Sequence, residues 1–275
     1  MAEIKASDVS KLRKQTGAGM MDCKKALQES GGDFDAAIEY IRKKGQAVAS
    51  KRAEREATEG AVLAKVTESN KEGYIIALNC ETDFVAKNEQ FVEFAYKVLD
   101  LALADDPDSL EDLKQLKLDG KTVEENITDQ IGIIGEKIEL SHFDKIKAED
   151  VIAYIHPGNK LASLVGFNQA NIDLQVKKDV AMQVAAMSPV SIDKDDVPEH
   201  LIEQEKEIGR EQARQQGKPE ELVEKIAMGK LNKFYKESTL LNQEFIKESK
   251  KTVRQYLQDY DKSLTVSSFK RYSLT

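Results

Sequence analysis

Few residues of this 275-residue chain have the types and spacings that perform chemistry. His142, His156 and His200 are scattered, with no acidic or cysteine partner at ligand spacing, so no metal site gathers around them. Cys23 and Cys80 lie far apart and form no metal-binding or redox pair. Gly17-Ala18-Gly19 superficially suggests a phosphate loop, but the third glycine is missing, no strand precedes it and it joins helix to helix. Ser188-Pro189 lacks a nucleophile elbow, and Asp195-Asp196 sits in a solvated charged run. No enzyme active site assembles from these residues, which leaves binding as the chemistry to look for. The outstanding segment is Asn79-Cys80-Glu81-Thr82-Asp83-Phe84-Val85-Ala86-Lys87-Asn88, where an aromatic follows three polar residues at the end of an apolar strand. Either Phe84 is the first core residue of the next helix, or Asp83 and Phe84 form an outward acidic-aromatic wedge suited to entering another protein.

The elements that must position this segment are legible from periodicity. Residues 5–44 read as three short helices. Ser7 or Asp8 caps the first, which carries Val9 and Leu12; Thr16-Gly17-Ala18-Gly19 breaks it, and Cys23, Ala26 and Leu27 face inward on the second. Gly31-Gly32 ends the second helix, and Asp33 caps a third with Phe34, Ala37, Ile38 and Ile41 at helical spacing. Of Met20 and Met21, at least one is expected to pack inside this bundle, and Met suits an irregular partner surface if one does not. The charged, Ala-rich stretch after Gly45 reads as a helical extension or linker. From Gly60 the period changes to two: Val62, Ala64 and Val66, then Tyr74, Ile76 and Leu78, flank a polar turn and predict a hairpin.

A helix bearing Phe91, Phe94, Ala95, Val98 and Leu99 follows the 79–88 link, and a helical stretch is expected over Ser109–Leu118. Thr122 with Glu125 makes a capping box. Strands are expected at Lys137–Phe143, Val151–His156 and Leu161–Asn168, then a helix over Asp173–Met187. Tyr74–Leu101 and Leu161–Met187 share one plan of strand, polar link and helix, and the second link, Asn168–Asp173, holds no aromatic. Closing such a link therefore does not require Phe84, which favours the outward reading.

Pro198–Glu237 predicts a charged helical hairpin punctuated by Gly217-Lys218-Pro219. Leu201, Ile208, Leu222, Ile226 and Phe234 are too sparse for a core, so the hairpin is expected to project and is a candidate surface for pairing with a second copy. A helix near Ser249–Tyr260 and a strand over Leu264–Tyr272 complete the chain. The fold class expected is α+β: residues 1–56 a three-helix domain with a linker helix, 57–145 and 146–275 two similar subdomains with antiparallel sheets, and the hairpin (196–238) inserted in the second.

Charge adds a constraint. The net charge of −8 is unevenly placed, because residues 1–57 are net basic and the remainder carries the whole acidic excess. A basic head on an acidic body argues against a nucleic-acid-binding core and suits docking on an acidic protein surface. The N-terminus has no apolar leader-like stretch, no run approaches membrane-spanning length, and two unpaired cysteines suit a reducing cytoplasm.

Two motifs carry a resemblance. Thr16-Gly17-Ala18-Gly19-Met20-Met21-Asp22-Cys23-Lys24-Lys25-Ala26-Leu27 and Asn79-Cys80-Glu81-Thr82-Asp83-Phe84-Val85-Ala86 resemble the two signatures of bacterial and organellar elongation factor Ts, in order and at matching separation. The later sequence, including Val180–Ala186 and the charged hairpin, is also similar. The resemblance implies a guanine-nucleotide exchange factor for elongation factor Tu, with no cofactor, and a three-helix domain similar to a ubiquitin-associated domain. It implies that Thr82, Asp83, Phe84 and Val85 intrude near the partner's Mg²⁺ and nucleotide site. Arg13, Met20 and Met21 would contact the same GTPase domain, and His156 the partner's third domain. Some members continue past the last strand into a further helical module, whereas this sequence ends at Thr275. The alternative is an adaptor or dimerisation module without exchange activity, using the three-helix domain and the hairpin.

Overall fold

Residues 6–52 form α1 (Ala6–Thr16), α2 (Met20–Glu29) and α3 (Phe34–Arg52) in the computed structural model, which describes residues 4–274. Gly17 ends α1 in the left-handed region, its N–H donating to the Arg13 carbonyl. The first helix starts two to three residues earlier than a Ser7 or Asp8 cap implies: Lys5 occupies the N-cap position and no side chain caps it. Asp33 caps α3 through the Ala36 N–H. Leu12, Cys23, Ala26, Leu27 and Ala37 close the core of this head, and α3 runs on past it as the helical extension.

The body follows in chain order. β1 (Glu59–Val66) and β2 (Glu72–Cys80) precede a single-turn α4 (Asp83–Ala86) and the long α5 (Glu89–Asp105). Then come α6 (Leu110–Gln115), β3 (Lys117–Leu118), β4 (Lys121–Thr122), α7 (Val123–Ile134) and β5 (Ile138–Lys147). The second half holds β6 (Asp150–Ile155), β7 (Leu161–Phe167), α8 (Leu174–Met187), the paired α9 (Glu199–Gln215) and α10 (Glu220–Ser238), β8 (Glu244–Phe245), β9 (Glu248–Thr252), α11 (Val253–Tyr260) and β10 (Val266–Ser273). Two antiparallel three-stranded sheets, ordered β1-β2-β5 and β10-β7-β6, dominate this α+β body.

The sheets pack face to face. In the β1–β2 register Ala64 lies opposite Ile75 and Val62 opposite Ala77. That face meets Val151, Ala162 and Leu164 of the other sheet. Tyr74, Ile76, Leu78 and Leu63 point the other way, against Phe91, Ala95, Val98 and Leu99 of α5 and Ile127 and Ile131 of α7. The two alternating triplets seen in the sequence thus face opposite layers. On the far side of the second sheet, Val165 and Phe167 pack on Val176, Val180 and Val184 of α8 and on Leu257 of α11.

Local chemistry moved two boundaries and reassigned one helix seam. Asp119 and Gly120 both adopt positive φ, the requirement of a two-residue hairpin turn, so the helix expected through Leu118 stops at Gln115 and a small β3–β4 ribbon replaces its end. The helix expected from Ser249 starts at Val253, where Thr252 and Gln255 form a capping box; the residues before it pair as β9 with β8. In the α9–α10 hairpin the buried seam is Gly209, Ala213, Val223, Ala227 and Leu231, while Ile208 and Leu222 are exposed. Small residues, not the large ones picked from the sequence, let the two helices approach.

The head meets the body where α3 crosses α7. Gly45 and Gly132 face each other at this crossing, and a Cβ on Gly132 would lie 2.6 Å from the Gly45 Cα. Replacing a helical glycine by alanine ordinarily stabilises by roughly 0.5–1 kcal/mol, but overpacking costs about 1–3 kcal/mol. Gly132→Ala should therefore destabilise by about 1–2 kcal/mol in urea unfolding. Gly229→Ala, in α10 with open space around its Cβ, should stabilise by about 0.5–1 kcal/mol in the same assay. Equal effects at the two sites would rule out a close helix crossing.

Candidate functional site

The 79–88 segment leaves the sheet at the end of β2, and nearly every residue in it is tied down. Asn79 donates to the Ala57 carbonyl (2.9 Å) and accepts from Ser141 Oγ (2.5 Å). The Cys80 thiol donates to the Thr82 carbonyl (3.2 Å); burial, reinforced by the nearby Glu136 charge, pushes that thiol up to about 12, so it stays protonated and unreactive at neutral pH. Glu81 accepts from Arg52 (2.7 Å), from Arg55 (3.1 Å) and from the Lys137 backbone N–H (2.6 Å). Burial acts to raise the Glu81 carboxyl, but the Lys137 N–H and the two guanidinium groups outweigh it and bring it down to about 2.

Thr82 is gripped twice by Glu136, its backbone N–H at 3.0 Å and its hydroxyl at 2.7 Å, and its Oγ in turn caps α4 by accepting from the Val85 N–H. Asp83 pairs with Lys87 at 2.6 Å one turn on; Lys87, and more weakly Lys160, hold its carboxyl below the ordinary aspartate range. Val85 packs against the α5-side core and Ala86 is buried in it, while Asn88 caps α5 through the Gln90 and Phe91 N–H groups. Phe84 alone is left over. It stands 83% exposed, and the role of first core residue in the long helix belongs to Phe91.

The β6–β7 turn reaches the same end of the sandwich. Gly158 and Asn159 adopt positive φ, and the Asn159 carbonyl accepts from the Val62 N–H at 2.7 Å, stitching the turn to β1. Lys160 pairs with Glu59 at 2.8 Å. His156 is exposed there, its Nδ1 3.0 Å from the Tyr154 hydroxyl. Asp83 and Phe84 thus sit on the loop after β2, beside the β6–β7 turn that carries His156 and Lys160, whose charge reaches Asp83.

Arg13, Met20 and Met21 lie apart from these loops, in the head. All three are exposed, Met20 by 58% and Met21 by 72%. The expectation that at least one methionine packs inside is therefore overturned: Ala18 and Cys23 close the core at that end, with the Cys23 thiol reaching the Ala18 carbonyl. Sequence reasoning missed the residues that hold the loop, namely Arg52, Arg55, Glu136, Lys87 and Lys160. Only Lys87, one helical turn from Asp83, had a local signal. Among the described residues no group of three or more His, Cys, Asp or Glu is placed to hold a metal ion, and no helix is long and apolar enough to cross a membrane.

Comparison with known proteins gives a consistent answer. The family model described as Elongation factor TS matches residues 81–275. The chain is 52% identical to the elongation factor Ts of Porphyromonas gingivalis over 274 residues, 98% of each chain. It is 55% identical to that of Amoebophilus asiaticus over 270 residues, again 98% of each. Against that of Cytophaga hutchinsonii it is 50% identical over 278 residues, the full length of both.

The loop's energetics separate display from support. Glu81 has a lowered folded pKa, so its contribution to stability is present above its ordinary value of 4.5 and is lost as pH falls to about 2. Near neutral pH wild type should exceed Glu81→Gln by ~2 kcal/mol in urea unfolding, the gap closing as pH falls through that window. Phe84→Ala should change stability by less than about 0.5 kcal/mol at any pH. A large loss in Phe84→Ala would mean the ring is packed in solution.

Proposed function

This chain belongs to the elongation factor Ts family and is a translation elongation factor; from that premise we propose that it binds elongation factor Tu·GDP and promotes GDP release by disturbing the partner's Mg²⁺ and phosphate site, so that GTP can rebind. The observation that carries this reading is an 83% exposed Phe84 on a loop whose other residues are anchored. In this reading Thr82, Asp83, Phe84 and Val85 form the intruding tip. Arg13, Met20 and Met21 hold the partner's GTPase domain, and His156 meets its third domain. No bond is made or broken by this chain, and neither a cofactor, a nucleic acid nor a membrane takes part. The α9–α10 hairpin is a further association surface, open to a second copy.

Exchange of this kind is linkage: the chain binds nucleotide-free partner more tightly than GDP-bound partner, so each ligand weakens the other. A thousandfold acceleration needs about 4 kcal/mol. Burying one phenylalanine contributes roughly 1.5–3 kcal/mol. Phe84 is therefore a large share of the effect and less than the whole, and the remainder comes from docking contacts elsewhere. Asp83 adds a negative charge where the partner holds Mg²⁺ and phosphate, so it competes for the cation and repels the anion.

The test is release of a fluorescent GDP from elongation factor Tu at saturating chain. Phe84→Ala should slow release by about tenfold to a hundredfold at equal complex occupancy. Unchanged release would remove the wedge from the mechanism. A complex that GDP does not disrupt would instead favour the adaptor reading.

A further inference from the structure

The anchoring of Thr82 has a consequence beyond support of the fold. Glu136 directs both carboxylate oxygens at one residue, accepting from the Thr82 N–H and the Thr82 hydroxyl, and forms no ion pair among the described residues. It follows Gly135, which ends α7 in the left-handed region with its N–H on the Ile131 carbonyl. Glu136 is thus held just past the C-terminus of α7, four residues beyond Gly132 in the α3 crossing. The other grip on the loop, Arg52 on Glu81, comes from the C-terminus of α3, seven residues beyond Gly45 and so about 10 Å along the axis. The two helices that cross glycine to glycine each end on a residue immediately before Asp83 and Phe84.

We infer that Glu136 is a positioning residue for the Asp83–Phe84 tip: it fixes the loop in its projecting form and ties that form to the α3–α7 crossing that carries the head. The inference rests on the proposed exchange activity for its effect on rate. The second half of the body shows what a purely structural counterpart looks like. There Asp150, at the head of the edge strand β6, accepts from the Ile172 N–H in the sister link, but it is buried and neutralised by Lys177 at 2.7 Å. Glu136 occupies the matching place before β5, half-exposed and without a cation, and its hydrogen bonds end on the displayed loop.

Two measurements on the full chain test this together. The chain contains no tryptophan, so Phe84→Trp places a single reporter at the tip, read by time-resolved anisotropy without partner. Adding Glu136→Ala should speed the local decay, whereas Glu136→Gln, whose amide can still accept from the Thr82 N–H and donate to its hydroxyl, should restore most of the slow decay. With Phe84 intact, the dependence of GDP release from elongation factor Tu on chain concentration gives the second readout. Glu136→Ala should lower the saturating rate about tenfold while moving the half-saturating concentration by less than about twofold, since the loss amounts to one charged hydrogen-bonded anchor and not a docking contact. Glu136→Gln should recover most of the rate. Should Glu136→Ala fail to fold by circular dichroism, Thr82→Val, which removes the hydroxyl's bond to Glu136 together with its α4 cap but keeps the Thr82 N–H on Glu136, should show the same split at smaller size.

Unchanged anisotropy in Glu136→Ala, a loss confined to the half-saturating concentration, or a glutamine variant as poor as alanine would each overturn the inference. A wild-type chain that does not accelerate release would instead overturn the proposed function, leaving the anisotropy series to decide whether Glu136 holds the loop.

Discussion

Everything at the displayed end depends on β2 being buried on both faces. Gly73 through Cys80 are all buried, with α5 and α7 covering one side and the second sheet the other. A one-residue slip would hand the helices the side chains meant for the second sheet and the reverse, so burial on both faces pins the strand's register and its exit point. Gly73 is part of this constraint: a Cβ there would come within 3 Å of both Val151 and Leu164, so the close approach of the sheets at that point requires glycine. The strand therefore delivers Cys80 to a fixed place, and the loop that follows starts from an immobile base.

At that exit the chain must turn, and charges take over from apolar packing. Glu81 gathers two arginines and a backbone N–H, and Thr82 is met by Glu136. A carboxylate this well supplied with donors is costly to protonate and costly to move, which is what its pKa of about 2 expresses. Because Arg52 ends α3 and Arg55 lies in the turn just beyond it, the same carboxylate that steadies the loop also holds the head against the body, together with the Gly45–Gly132 contact and the Arg42–Glu125 ion pair. Head orientation and loop shape share one set of bonds.

What was legible in the sequence was what neighbours in the sequence decide. The capping residues Asp33 and Thr122, the helical spacing of Phe91, Phe94 and Val98, and the likeness of the two strand-link-helix units all act within a few residues, and the structure shows each of them. The exposure of Phe84 was legible too, through comparison with a sister link that closes without an aromatic. The double burial of β2 was not, because its second cover comes from strands about 75–90 residues away in the chain and hydrophobic alternation shows only one face at a time. Met20 and Met21 were misjudged for a similar reason: apolar character says nothing of how early a small bundle closes, and Ala18 closes it first. Glu136 had no signal at all, since its partner lies 54 positions away.

These features together explain how a soluble-looking loop can carry a bare aromatic. An exposed ring on a mobile loop would be free to fold back and bury itself, and fixing such a side chain at a partner surface would cost about 0.5–1.5 kcal/mol or more in lost freedom. Here the retreat is blocked on every side. Val85 and Ala86 occupy the nearby core, Asn88 commits the following N–H groups to α5, and Glu136 and Lys87 hold Thr82 and Asp83. The ring stands exposed on the capped and anchored α4 turn, so much of the ordering cost of its backbone is met during folding and does not recur at each encounter. In the exchange proposed above, such a preformed wedge would keep most of its burial energy for displacing the partner's Mg²⁺ and phosphate contacts. On that proposal the anchoring behind Phe84 is part of what the ring delivers, and the other residues of the loop supply it.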